Sequence, residues 1–192
     1  MRLGKSLGLA TGLLFATAVS ASAITWATSV ETTTAGAGFG TDPARSMTAN
    51  ALGAPDGAFY SPGIGGSITV SFGTQFVEPG AVYEVTLGNP GGWPESADIY
   101  VSNSLADLLG GGVVASVGNA AAASGATFNF AGVWTYMTLV DTSNPAVSGE
   151  HVGLVADGFD LDAIGVTPVP VPASALLLGA ALAGLGVARR KS

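Results

Sequence analysis

The run GGSITVSFG, Gly65 to Gly73, decides how the rest of this chain is read. Ile68, Val70 and Phe72 alternate with Ser67, Thr69 and Ser71, so an extended backbone sends the apolar side chains to one face and the hydroxyls to the other. That is the pattern of a half-buried strand bounded by glycines. Working outward, Val82 to Leu87 repeats the period with Tyr83, Val85 and Leu87 set inward, and Asp98 to Ser102 repeats it with Ile99 and Val101. Thr127 to Phe130 offers Phe128 and Phe130, Val133 to Val140 is apolar on both faces as a central strand would be, and Phe159 to Val166 closes the set. Turn signals separate these runs at Asn89-Pro90-Gly91-Gly92, Gly110 to Gly112, Ser124-Gly125 and Ser143-Asn144-Pro145. Short strands at this spacing predict an all-β protein built as a β-sandwich. One short helix is expected at Ser104 to Leu109, capped by Ser104 and ended by Gly110, while Thr32 to Gly40, low in complexity, reads as a loop. No period of about 20 to 50 residues is visible, which disfavours a solenoid or propeller.

The two ends have a different chemistry. Arg2 and Lys5 precede a short apolar core from Leu7 to Val19, and Ala21-Ser22-Ala23 is an A-x-A cleavage site, so residues 1–23 read as a signal peptide removed by signal peptidase. Pro168, Pro170 and Pro172 alternate with valines and predict an extended strap. From Val171 to Ala188 no side chain is charged, and as a helix this run is roughly 27 Å long, close to the hydrocarbon thickness of a bilayer. Arg189, Arg190 and Lys191 follow, and a basic cluster beside a span stays on the cytoplasmic side. Residues 24–167 are then an exported β-sandwich domain, flanked by a signal helix and, within residues 168–192, a Pro-rich linker, transmembrane helix and basic end.

This tail resembles the PEP-CTERM class of bacterial sorting signals, and more closely its VPLPA-CTERM variant, through Val169-Pro170-Val171-Pro172-Ala173, the apolar run and the basic end. Val171 stands where the family most often has Leu. The resemblance implies a second processing partner, an exosortase-type membrane protease, with a transient anchor in the inner membrane and delivery to the cell surface or extracellular matrix. It speaks to sorting and not to molecular role.

With the ends set aside, Arg45 is the one basic residue among residues 24–167, against all 13 acidic ones, a net charge of −12. Nucleic acid is excluded as a partner on that balance, because phosphate binding needs Lys and Arg. The chain has no cysteine, so packing must supply what disulfides would. Cys-His chemistry and multi-ligand zinc sites are excluded, since His151 is the one histidine. There is no G-x-S-x-G elbow, and Gly36-Ala37-Gly38-Phe39-Gly40 neither follows a clear strand nor opens a helix.

A second resemblance covers roughly residues 48–166. Asn50-Ala51-Leu52-Gly53-Ala54-Pro55-Asp56, the run Gly65 to Gly73, Glu95 to Ser102, Trp134 to Asp141 and Gly158 to Ile164 look like the ordered landmarks of galactose-binding-like jelly-roll modules. The resemblance implies a discoidin-like sandwich whose relatives bind glycans or serve as structural modules, often with a calcium ion. In DGFDLD, Asp160 and Asp162 alternate with Phe159, Leu161 and Ala163, which puts two carboxylates about 6 to 7 Å apart along a strand. Ca²⁺ takes six to eight oxygen ligands, so Asn50, Asp56 and Asp157 with backbone carbonyls would have to complete a shell. The plainer reading is a solvated polar face on an edge strand. Tyr60, Trp93 and Tyr100 are candidates for stacking on sugar rings. The function expected is a non-catalytic structural or adhesive module, with two alternatives left open: a Ca²⁺-stabilised carbohydrate-binding module for exopolysaccharide, and a glycan-active hydrolase using paired carboxylates.

Overall fold

The strand that begins at Ser67 does not stop where its alternation stops. In the computed structural model, which describes residues 23–86, 94–144 and 157–170, it runs on to Glu84 and joins two leaves of one sheet. The strands are β1 (Thr25–Trp26), β2 (Ser29–Thr34), β3 (Ser67–Glu84), β4 (Ser96–Ser102), β5 (Val113–Gly118), β6 (Ala126–Phe128), β7 (Trp134–Asp141) and β8 (Leu161–Pro168). They form one antiparallel eight-stranded sheet in the order β1-β8-β3-β7-β4-β5, with β2 and β6 also on β3. The first half of β3, Ser67 to Ser71, pairs with β2 and β7, and its second half, Gly80 to Glu84, pairs with β6 and β8. The two halves therefore belong to two leaves of a jelly-roll β-sandwich, joined by a corner between Ser71 and Phe76 where the register shifts. Gly73 lies in that corner at φ +70, a conformation that a side chain would strain.

Packing follows from the rows that the register creates. Ile68 faces Leu139, which faces Ile99, and Val70 faces Met137, which faces Val101; all six are fully buried. Val82, Ile164 and Val166 cover them from the other leaf, in the same core cluster. At the corner the rings of Phe72 and Phe76 meet edge to face at 5.0 Å, and Phe76 meets Phe130 at 5.9 Å. Thr69 and Thr138, on the opposite face of the first leaf, are also buried and satisfy each other through a 2.9 Å hydrogen bond.

Several sequence expectations change. Val82 to Leu87 is not a separate strand, and its phase is reversed: Val82 and Glu84 point inward while Tyr83 lies outward, edge to face with Trp26 at 5.7 Å. Val82 and Glu84 keep the even spacing of Ile68, Val70, Phe72 and Phe76, so one period runs through the corner, and reading Val82 to Leu87 as a separate strand set it one step out. The phase does slip along β8, where Phe159, Leu161, Ile164 and Val166 join the core cluster while Ala163, though fully buried, stays outside it, because the register shifts opposite Tyr83 and Glu84. Ser104 to Leu109 is a pair of turns and not a helix. Ser104 Oγ does accept from Ala106 N as a cap would, but Leu105 and Leu109 are both 49% exposed, and a helix this short does not persist without a buried face. Part of the expected Thr32 to Gly40 loop is instead β2. One four-residue helix, α1 (Asn119–Ala122), follows β5. Among the described residues no helix is long and apolar enough to cross a membrane. Leu87, the Asn89 to Gly92 turn, His151, the signal segment through Ser22, and the tail from Val171 onward lie outside the described residues.

Candidate functional site

Because β3 folds back at its corner, both of its ends lie at one end of the sandwich. The start of β4, the end of β7 and the start of β8 meet them there. Each of these termini brings a carboxylate or the donors for one. Glu84 closes β3, Glu95 precedes β4, Asp141 ends β7, and Asp157 and Asp160 lead into β8. Asp141 is buried and accepts from Ser143 N at 2.9 Å, Ser143 Oγ at 3.1 Å, Gly65 N at 3.3 Å and Phe159 N. Burial still raises its pKa against those four bonds. Glu84 is 4% exposed; Oε2 accepts from Thr86 Oγ1, and Oε1 has no hydrogen-bond partner. Burial pushes the Glu84 carboxyl up to about 7. Asp160, which accepts from Ser61 Oγ, is pushed up to about 7 by burial, with Asp157 and Glu84 adding to the rise. Glu95 rises to about 9 through burial and the neighbouring charges of Asp160, Glu84, Asp157 and Asp141. At neutral pH Glu95 thus holds its proton and Glu84 and Asp160 are about half protonated, in an interior that disfavours their charge.

Arg45 stands beside this group. It lies in the 3-10 turn Pro43–Ser46, whose entry is fixed by Asp42 accepting from Ala44 N. Arg45 Nη1 donates to both carboxylate oxygens of Asp157 at 2.9 Å, and the guanidinium lies 5.2 Å from the centre of the Phe59 ring. Around them is an open pocket of about 350 Å³ lined by Asp42, Ala44, Arg45, Asn50, Ala58 and Phe59. It offers donors, acceptors and an apolar ring within one small concavity.

The residues that the sequence suggested for Ca²⁺ lie in this region, yet each is engaged by the protein. Asp162 accepts from Asp56 N and Gly57 N, Asp56 from Ala58 N, Asp157 from Arg45, and Asp160 from Ser61, while Asn50 donates to Ala44 O and Phe59 O. Among the described residues no three acidic or histidine side chains gather as a cation would require. The donor set does not fit a calcium shell. Nor is this a solvated edge: β8 lies between β1 and β3, and Asp160 and Asp162 are buried. Tyr60 offers no stacking surface, since its ring is fully buried and its backbone bridges to Leu161. Tyr100 is half-buried in the middle of β4, opposite Thr138. Trp93 lies outside the described residues.

Glu84, Glu95, Arg45 and Phe59 were not singled out by sequence. Arg45 did carry a signal, as the lone cation of an acidic domain, for such a residue finds a carboxylate. Glu84 was missed because Val82 to Leu87 was read as a separate strand with Tyr83, Val85 and Leu87 inward, one step out from the period of Ile68, Val70 and Phe72.

No family model and no curated protein matches the chain. Among solved structures it is similar to a truncated AlyQ with CBM32 and alginate lyase domains, at 17% identity and a TM-score of 0.43 over 79% of this chain and 35% of that one. It is also similar to the CBM32 of AlyQ in complex with 4,5-unsaturated mannuronic acid, at 16% identity and a TM-score of 0.41 over 72% of this chain and 95% of that one. The chain thus spans about a third of the first of these proteins.

Proposed function

We propose that this chain is an exported, non-catalytic β-sandwich module that binds carbohydrate, brought to the cell envelope by its signal peptide and sorting tail. The observation that carries the binding role is the pocket at Arg45. Sugar hydroxyls both donate and accept, and there a guanidinium is flanked by Asp42, Asp157 and Asn50, with Phe59 to pack against a ring face. Export and surface delivery are supported by the Ala21-Ser22-Ala23 and Val169 to Ala173 motifs and the Arg189-Arg190-Lys191 end. An exopolysaccharide outside the cell fits that address. Hydrolysis is disfavoured because Glu84 and Asp160, whose raised pKa values would suit an acid catalyst, are 4% and 5% exposed and out of a glycan's reach.

The test is retention in gels containing the producing organism's own exopolysaccharide, and calorimetry with its fragments. The parent protein is expected to be retarded. Phe59→Ala and Arg45→Gln, checked by circular dichroism to be folded, are expected to bind about tenfold more weakly or worse, a loss of about 1.4 kcal/mol. No retention of the parent protein removes the binding role and leaves a structural or adhesive module.

A further inference from the structure

We propose that the end of the sandwich opposite the acidic group is a lipid-facing surface, on which the domain stands with the acidic end turned outward. This rests on the reading of the tail as membrane-directed. Two placements support it. First, both chain ends leave from that pole. Thr25 pairs with Val166, so Ala23 and Ile24 run alongside Thr167 and Pro168, and only Val169 and Pro170 separate the end of β8 from the uncharged run beginning at Val171. A strap that short brings the pole to the bilayer surface.

Second, five of the seven large apolar side chains exposed among the described residues lie there, the other two, Phe39 and Met47, being near Tyr60 and the Arg45 turn. β4 and β8 run toward this pole, while β5 and β7 start from it. Ile24 (45% exposed), Leu105 (49%), Leu109 (49%), Val113 (51%) and Val133 (44%) all lie in its loops and strand starts. Asn103 Nδ2 bonds Val133 O and so ties the loop after β4 to the entry of β7. Apolar side chains at the edge of a domain lose water when they enter the headgroup region. The acidic end, with Glu84, Glu95, Asp141, Asp157 and Asp160, lies about 26 Å away along the eight residues of β7.

The chain has no cysteine, so single labels are clean. The full chain carrying Thr74→Cys, in the exposed corner, or Thr142→Cys, at the acidic end, is labelled with an environment-sensitive dye. It is then reconstituted in phosphatidylethanolamine–phosphatidylglycerol vesicles with nitroxide-headgroup lipid. The label at position 74 is expected to be quenched several-fold more than that at 142, and Leu105→Ser with Leu109→Ser is expected to shrink the difference. Protein that fails to float with the vesicles overturns the tail reading and this proposal with it. Protein that floats with both labels equally quenched, or with 142 quenched more, overturns the orientation alone.

Discussion

Between about pH 5 and about pH 8.5 the folded domain is expected to lose roughly 3 kcal/mol of stability or more, a direction opposite to that of most proteins held together by ionised carboxylates. Glu84 and Asp160 keep their protons until about pH 7 in the folded chain, and Glu95 until about 9, whereas unfolded they ionise near 4.5, 3.8 and 4.5. In that interval the folded state binds more protons than the unfolded one, so every rise in pH favours unfolding. Below about pH 4 both states are protonated and the advantage of the folded state is complete. It is lost as pH rises through 7 and toward 9. For Glu84 alone, 96% of whose surface is hidden, moving from 4.5 to about 7 corresponds to about 3 kcal/mol. The neighbours repel one another, so their contributions do not simply add. Glu84→Gln removes the titration and gives the unpartnered Oε1 position a polar group that needs no proton. Its melting temperature is expected to match the parent protein's at pH 5 and exceed it at pH 8.5. A parent protein whose urea midpoint is flat over this range would refute the account.

What was legible in the sequence was the inside of each strand. The strands anchored by Ile68, Ile99, Leu139 and Ile164 were found because β-branched and aliphatic residues recur at period two over a buried face. β2 was missed since Ser29 to Thr34 holds one half-buried apolar side chain, Val30, and its pairing to β3 is made by the backbone. β5 was missed for a similar reason: of Val113 to Gly118, only Val117 is buried, at the edge of a leaf. The acidic end was only half legible. Asp157 and Asp160 were visible as a cluster, but their partners arrive from positions more than 90 residues away, through Ser61 and Arg45. Even spacing from Ile68, Val70 and Phe72 leads through Phe76 and Val82 to Glu84, but using it required knowing that β3 runs unbroken through its corner.

Asp141→Ala is expected to cost about 3 to 5 kcal/mol, through a chain of contacts that begins at one carboxylate. Its oxygens accept from the backbone N–H groups of Gly65, Ser143 and Phe159, which stitch together the approach to β3, the exit of β7 and the approach to β8. Each buried donor left without an acceptor costs about 1 to 3 kcal/mol, less what an entering water restores. Gly158, at φ +83, shows how closely the loop is wrapped: a Cβ there would lie against the Asp141 carboxylate. Asp141→Asn keeps the shape and one acceptor oxygen but turns an amide NH₂ toward other donors, so a loss of about 2 kcal/mol is expected. Hydrogen exchange is the discriminating measurement, because the amides of Gly65, Ser143 and Phe159 should lose protection while those of Val70 and Met137, deep in the sheet, keep theirs relative to global unfolding. The same substitution should weaken glycan retention although Asp141 is no part of the pocket lining, since Phe159 lies two residues from Asp157, the partner that holds Arg45 over Phe59. Protection unchanged at those three amides, or a loss below about 1 kcal/mol, would mean that the loops are held by their own packing and that the carboxylate is a passenger.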